Sequence, residues 1–178
     1  MRFIVLMGPK HSGKTSAGKA LASLLSCGFV DLDELIARRS GKSPRALYGE
    51  GPEIFRKAEA GALADFLDSK MPENTSLFVI ASGGGLIDNN DALSVMRRFP
   101  VTSVHLDVSA RVAWKRIRAA GVIPPFLGTK NPMEIHRILH KRRAAASRQH
   151  ASLKVKTKGK NPQEIARKIR GKLRMINR

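Results

Sequence analysis

Gly8-Pro9-Lys10-His11-Ser12-Gly13-Lys14-Thr15 decides the fold of this 178-residue chain. The stretch meets the phosphate-binding pattern G-x-x-x-x-G-K-[ST] at every specified position, and its flanks meet the geometry that pattern needs. Ahead of it lies Phe3-Ile4-Val5-Leu6-Met7, an apolar run of buried-strand length. Behind it, Ala17-Gly18-Lys19-Ala20-Leu21-Ala22-Ser23-Leu24-Leu25 reads as a helix. In such a strand–turn–helix unit the backbone N–H groups of the turn converge at the helix N-terminus, where the dipole favours negative charge. The motif therefore assigns nucleoside-triphosphate binding to Ser12, Gly13, Lys14, Thr15 and Ser16. Lys14 is expected to reach the β- and γ-phosphates of the triphosphate, and the Thr15 hydroxyl to ligate Mg²⁺.

The same strand logic recurs downstream. Phe29–Asp33, Leu77–Ala81, Thr102–Asp107 and Leu153–Thr157 read as strands, the last alternating as an edge strand does. Helical patterns fall around Asp33–Arg39, Glu53–Ser69, Asp91–Phe99, Ser109–Ala120, Met133–Arg148 and Pro162–Met175. Alternation of this kind predicts an α/β fold, a parallel sheet flanked by helices, in one domain spanning residues 1–178. Ile165, Ile169 and Leu173 favour docking of the last helix on the sheet. A loop containing Pro72 and Asn74 precedes the third strand, and Gly121–Pro132 has the composition of a mobile lid.

Composition narrows the function classes. No stretch approaches the ~20 apolar residues of a membrane span. The first strand begins near the N-terminus, so no cleavable targeting segment is expected. A single cysteine, Cys27, excludes an internal disulfide and a cysteine metal cluster, fits a cytoplasmic protein, and reads as a packing residue. Lys and Arg number 33 against 14 Asp and Glu, a net charge of +19. Fourteen of the Lys/Arg and one acid, Glu164, lie between Lys141 and Arg178. No RNA-reading motif accompanies the charge, so anionic small-molecule substrates are expected rather than a nucleic-acid partner.

Beyond the loop, Asp31-Leu32-Asp33 closes the second predicted strand, with period-2 alternation placing both carboxylates on one side. One can help hold Mg²⁺ through water and the other can accept a proton from an attacking hydroxyl, although Asp33 also suits a helix N-cap. Gly83-Gly84-Gly85 ends the third strand, and three glycines in a row signal close approach by a ligand or another backbone.

The order and spacing of Gly8–Thr15, Asp31-Leu32-Asp33, Gly41-Lys42-Ser43, Gly51–Arg56, Gly83–Gly85 and Leu106-Asp107-Val108-Ser109 resemble the shikimate kinase family. That resemblance implies a P-loop kinase fold with a five-stranded parallel sheet of order 2-3-1-4-5. It also implies a substrate-binding region at about 33–60, a lid at about 121–132, and a monomeric cytoplasmic enzyme. Such an enzyme transfers the ATP γ-phosphoryl to the 3-hydroxyl of shikimate in aromatic amino-acid (chorismate) biosynthesis. Carried over by position, Asp31 lies near the metal and Ser82 takes the place of a Thr. Asp33 holds substrate hydroxyls and is the candidate base. Arg56 and Arg143 pair with the substrate carboxylate, Gly83, Gly84 and Gly85 line that pocket, and Arg116 packs against adenine. The lid Arg that the family carries is missing from Pro124-Pro125-Phe126-Leu127, with Arg118 and Lys130 as candidate substitutes. Two rivals remain: a related kinase of another small hydroxy acid such as gluconate, and a nucleotide-binding protein without kinase activity whose basic C-terminal segment binds nucleic acid.

Overall fold

β1 (Phe3–Met7) is buried at all five residues, and its side chains alternate between two separate cores. The computed structural model describes residues 2–71, 76–121 and 123–176. The predicted loop residues Pro72 and Asn74, and Val122 of the predicted lid, lie outside the described residues. Phe3, Val5 and Met7 join Ile36, Leu63, Leu67, Ile80 and Leu93 in one core. Ile4 and Leu6 join Leu21, Val79, Leu106, Ile165, Ile169 and Leu173 in the other. A central parallel strand covered on both faces produces this unbroken apolar run.

The remaining elements follow the predicted alternation. In chain order they are α1 (Lys14–Leu25), β2 (Gly28–Asp31), α2 (Leu32–Ser40), α3 (Pro44–Glu50), α4 (Pro52–Lys70), β3 (Phe78–Ala81) and α5 (Asn90–Arg97). Then come β4 (Val101–Asp107), α6 (Ala110–Ala119), α7 (Pro132–His150), β5 (Leu153–Lys156) and α8 (Pro162–Ile176). Single 3₁₀ turns at Leu86–Asp88 and Pro125–Leu127 complete the set. The sheet runs β2-β3-β1-β4-β5 with every pairing parallel, so β2 and β5 are its edges. In register, Phe3 of β1 faces Phe78 of β3 and Val101 of β4. Helix α8 docks through Ile165, Ile169 and Leu173, and half-buried Cys27 packs in the same layer.

Three sequence expectations need correction. β2 ends at Asp31, not Asp33, because the Asp31 carboxylate accepts a hydrogen bond from the Asp33 backbone N–H and starts α2 there. Asp31 is thus the N-cap, and Asp33 sits in the first turn of the helix. Helix α3 was absent from the predicted pattern; Ser43 caps it and Pro44 opens it. Among the described residues no helix is long and apolar enough to cross a membrane.

Candidate active site

The C-terminal ends of β1, β2 and β3 meet at one edge of the sheet, where α/β folds bind ligands. The phosphate loop follows β1 there. Gly8 (φ 141°) and Gly13 (φ 92°) take conformations that disfavour a side chain, and a Cβ on Gly8 would stand 2.7 Å from the Leu106 carbonyl oxygen of β4. His11 is also left-handed (φ 58°), and its carbonyl accepts a hydrogen bond from the Arg116 guanidinium at 2.9 Å. Helix α1 has no side-chain cap and no acid in its first turn, so its first N–H groups and dipole remain available to an anion. Ser12 is buried with its hydroxyl unpartnered among the described residues, whereas Ser16 is exposed.

Lys14 is buried, and its ammonium donates to the Gly8 and Pro9 carbonyls, each at 3.0 Å. Burial pulls its pKa down to about 8, against the attraction of Asp33 and Asp31. The Thr15 hydroxyl donates to Asp31 Oδ2 at 2.8 Å. A hydroxyl and a carboxylate oxygen therefore stand side by side next to the loop, oxygen donors of the kind Mg²⁺ takes together with phosphate and water. Among the described residues no group of three or more His, Cys, Asp and Glu could hold a metal unaided.

Beside the loop opens a cavity of about 350 Å³. Of the predicted substrate residues, Asp33, Arg56, Gly83, Gly84, Gly85 and Arg143 all line it. Desolvation by the surrounding protein, and then Asp31, push the Asp33 carboxyl up; Lys10 and Lys14 oppose the shift. Arg56 is paired with Glu53 on its own helix. Arg143 Nε donates to Asp88 Oδ2 at 2.7 Å, an oxygen shared with Arg142 at 2.9 Å. Arg142 is exposed and does not line the cavity, whereas Arg143 does.

The three glycines have different reasons. A Cβ on Gly84 would come within 2.8 Å of the Lys10 backbone nitrogen, and one on Gly83 within 3.0 Å of Glu59 Oε1. One on Gly85 would make only ordinary contact, 3.5 Å from the Arg143 guanidinium. The Ser82 hydroxyl is spent on the Leu6 carbonyl at 2.9 Å, so it ties β3 to β1 below the phosphate loop.

Glu59, Asp88 and Lys10 had no assigned role in the sequence reading. Glu59 stands three residues after Arg56, one turn along the same helix face, and that spacing was the available signal. It is 1% exposed, burial pushes its carboxyl up to about 7, and Asn89 Nδ2 donates to its Oε2 at 2.9 Å. Asn89 also donates to the Arg56 carbonyl at 2.8 Å, which fastens both cavity residues to the start of α5.

From the lid side, Pro124 and Phe126 close the cavity. The Phe126 ring lies 5.2 Å from the Arg143 guanidinium and 6.4 Å, edge-on, from Tyr48. Neither Arg118 nor Lys130, the two candidates for the missing lid cation, lines the cavity.

The sequence pattern of the shikimate kinase family matches residues 10–174. The chain belongs to that family. A shikimate kinase of Persephonella marina is 32% identical over 98% of this chain and the whole of that protein. Among solved structures, the shikimate kinase of Acinetobacter baumannii in complex with shikimate superposes with a TM-score of 0.85 at 28% identity, covering 100% of this chain and 95% of that one. A gluconokinase of Sinorhizobium meliloti has a TM-score of 0.67 at 20% identity over 98% of this chain and 93% of its own, a likeness of fold alone.

Proposed function

We propose that this shikimate kinase family member transfers the γ-phosphoryl of ATP to the 3-hydroxyl of shikimate. One observation carries the assignment of roles. Asp33, Arg56, Arg143 and the triple glycine line a single cavity that opens beside the phosphate loop. Arg56 and Arg143 hold the substrate carboxylate, since two guanidinium groups fix both its position and its plane. Asp33 orients the acceptor hydroxyl and takes its proton. The hydroxyl oxygen bonds to Pγ as the bond from Pγ to the β,γ-bridging oxygen breaks, and that electron pair leaves with ADP. Lys14 and the amides of Ser12, Gly13, Thr15 and Ser16 hold the phosphates, with Arg116 beside the nucleotide base. Mg²⁺, held by Thr15 and through water by Asp31, supplies charge neutralisation on those phosphates when bound. The lid, residues 121–132 of a single kinase domain, excludes water and suppresses idle ATP hydrolysis. Every group in this scheme comes from one chain, so a monomer suffices.

ADP release from MgATP with shikimate, and with gluconate as control, tests the reading. Release stimulated by shikimate alone is expected. Stimulation by gluconate instead, or by neither, overturns the substrate assignment.

A further inference from the structure

The cavity's cations do not share one situation. Arg56 is engaged by Glu53, and Arg143 by the half-buried carboxylate of Asp88. Lys14 of the adjoining loop does not line the cavity and is turned onto two loop carbonyls. The lid side contributes Ala120, Pro124 and Phe126 to the lining, none of them charged. Lys10 differs from all of these. It sits on the phosphate loop itself, lines the cavity, is exposed to it, and has no hydrogen-bond or ion-pair partner among the described residues.

Its position is fixed from two sides. The Lys10 backbone rests on Gly84 so closely that a Cβ there would stand 2.8 Å from its nitrogen, 2.9 Å from its Cα and 3.0 Å from its Cβ. The next residue, His11, is held in a left-handed turn whose carbonyl is bound by Arg116. The root of the side chain is thereby anchored between β3 and the loop, while its ammonium is free to reach. Its field acts on both ends of the reaction: it opposes the rise of the Asp33 pKa at the acceptor end and lowers that of Lys14 at the donor end. Arg45 also lines the cavity, but it is carried by α3 rather than by the loop.

Phosphoryl transfer offers the protein little covalent work. It proceeds mainly by positioning and by charge stabilisation on the equatorial oxygens of the moving group. We propose that Lys10 is a catalytic residue whose ammonium contacts the γ-phosphoryl group as it passes between ADP and the acceptor hydroxyl. This rests on the kinase reading above. The bonds made and broken are those already given, with the proton going to Asp33; Lys10 donates hydrogen bonds and charge and transfers nothing.

The test uses Lys10→Met, which keeps most of the side-chain volume without the charge, and Lys10→Arg, which keeps the charge. Lys10→Met is expected to lower kcat about 100-fold, the scale for one transition-state donor. KM for shikimate and for ATP should stay within about threefold in that variant, and Lys10→Arg should recover most of the rate. A second arm needs no acceptor. Binding of ADP with tetrafluoroaluminate, a stand-in for the moving phosphoryl, should weaken in Lys10→Met while binding of ADP alone does not. A kcat within threefold of the parent, or a loss confined to shikimate KM, overturns the proposal. A parent protein inert toward shikimate overturns only the substrate assignment, and the fluoride arm then decides Lys10 by itself. The exposed site makes unchanged thermal melts the expectation for both variants.

Discussion

Replacing Glu59 by Gln should make the protein more stable in neutral and alkaline solution and leave it unchanged in acid. Glu59 is 1% exposed, and among the described residues only one of its carboxylate oxygens has a hydrogen-bond partner, the Asn89 amide at 2.9 Å. Burial moves its pKa from the ordinary 4.5 to about 7. At 1.36 kcal/mol for each tenfold change in proton affinity, that displacement corresponds to about 3 kcal/mol. The sign follows from which state holds the proton. Between pH 4.5 and about 7 the unfolded chain has released it and the native protein has not, so native stability falls as pH rises across that window. Above pH 7 the whole cost is present. Gln keeps the shape, and its amide oxygen can accept the Asn89 bond, but it carries no charge. Urea unfolding of both proteins from pH 4.5 to 8.5 should show a stability difference that grows with pH by up to about 3 kcal/mol and levels above pH 7. His140, whose pKa burial lowers to about 4, titrates in the opposite sense in part of this window; it is present in both proteins and cancels in the difference. Parallel curves, with a difference constant from pH 5 to 8, would show that Glu59 is not a strained buried acid.

Asp33→Asn should cut kcat by at least 100-fold while ATP affinity, read by nucleotide titration, stays nearly intact; unchanged turnover removes Asp33 as the base. Gly84→Ala forces a methyl to within 2.8 Å of loop backbone, and overpacking of that kind costs about 1–3 kcal/mol, visible as a lowered melting temperature together with lost turnover. His140→Gln should remove part of the stability that the parent loses on acidification from pH 6.5 toward 4, because a histidine with a depressed folded pKa favours the native state only while neutral. An acid-unfolding slope identical in the two proteins counts against it.

The sheet was legible because its signals are local. The apolar run of β1 and the glycine positions of the loop impose themselves within about fifteen residues, and the structure follows them. Asp31-Leu32-Asp33 shows where such reading fails. The alternation imitates a strand, yet the Asp31 carboxylate captures the Asp33 N–H at 3.0 Å, and a single side-chain bond ends the strand two residues early and starts the helix at Leu32. The two aspartates remain neighbours, but through a helix cap rather than through the pleat. Helix α3 was hidden for a related reason: Gly49 and Gly51 suggest a turn, and Leu47 is its single buried residue. Ser43, which accepts a hydrogen bond from the Ala46 N–H, was the overlooked start signal. The chemistry-bearing residues that the motifs name converge on the loop and cavity, while their supports do not announce themselves. Asp88 and Arg143 lie 55 positions apart and Asn89 and Glu59 lie 30 apart, separations at which spacing carries no information.

Asp88 shows what such a support does. Arg143 turns its Nε edge to Asp88, and its terminal nitrogens lie toward Gly85, one of them 3.5 Å from where a Cβ there would stand. The guanidinium is thus clamped along one edge, and in the proposed function the other edge meets the substrate carboxylate. The clamp has a cost of its own, since Asp88 competes for the charge it positions. Asp88→Asn separates the two effects. If orientation dominates, the neutral amide lets Arg143 swing, and KM for shikimate rises about tenfold, on the scale of one charge-assisted hydrogen bond at about 1.5–3 kcal/mol less what the amide retains. If competition dominates, the freed charge binds shikimate more tightly and KM falls. Arg142 shares the same Asp88 oxygen at 2.9 Å, and that second cation already offsets much of the aspartate's charge. Orientation should therefore prevail. A rise in shikimate KM with ATP KM unchanged is the expected result; equal changes in both would place the effect in general loosening of the cavity.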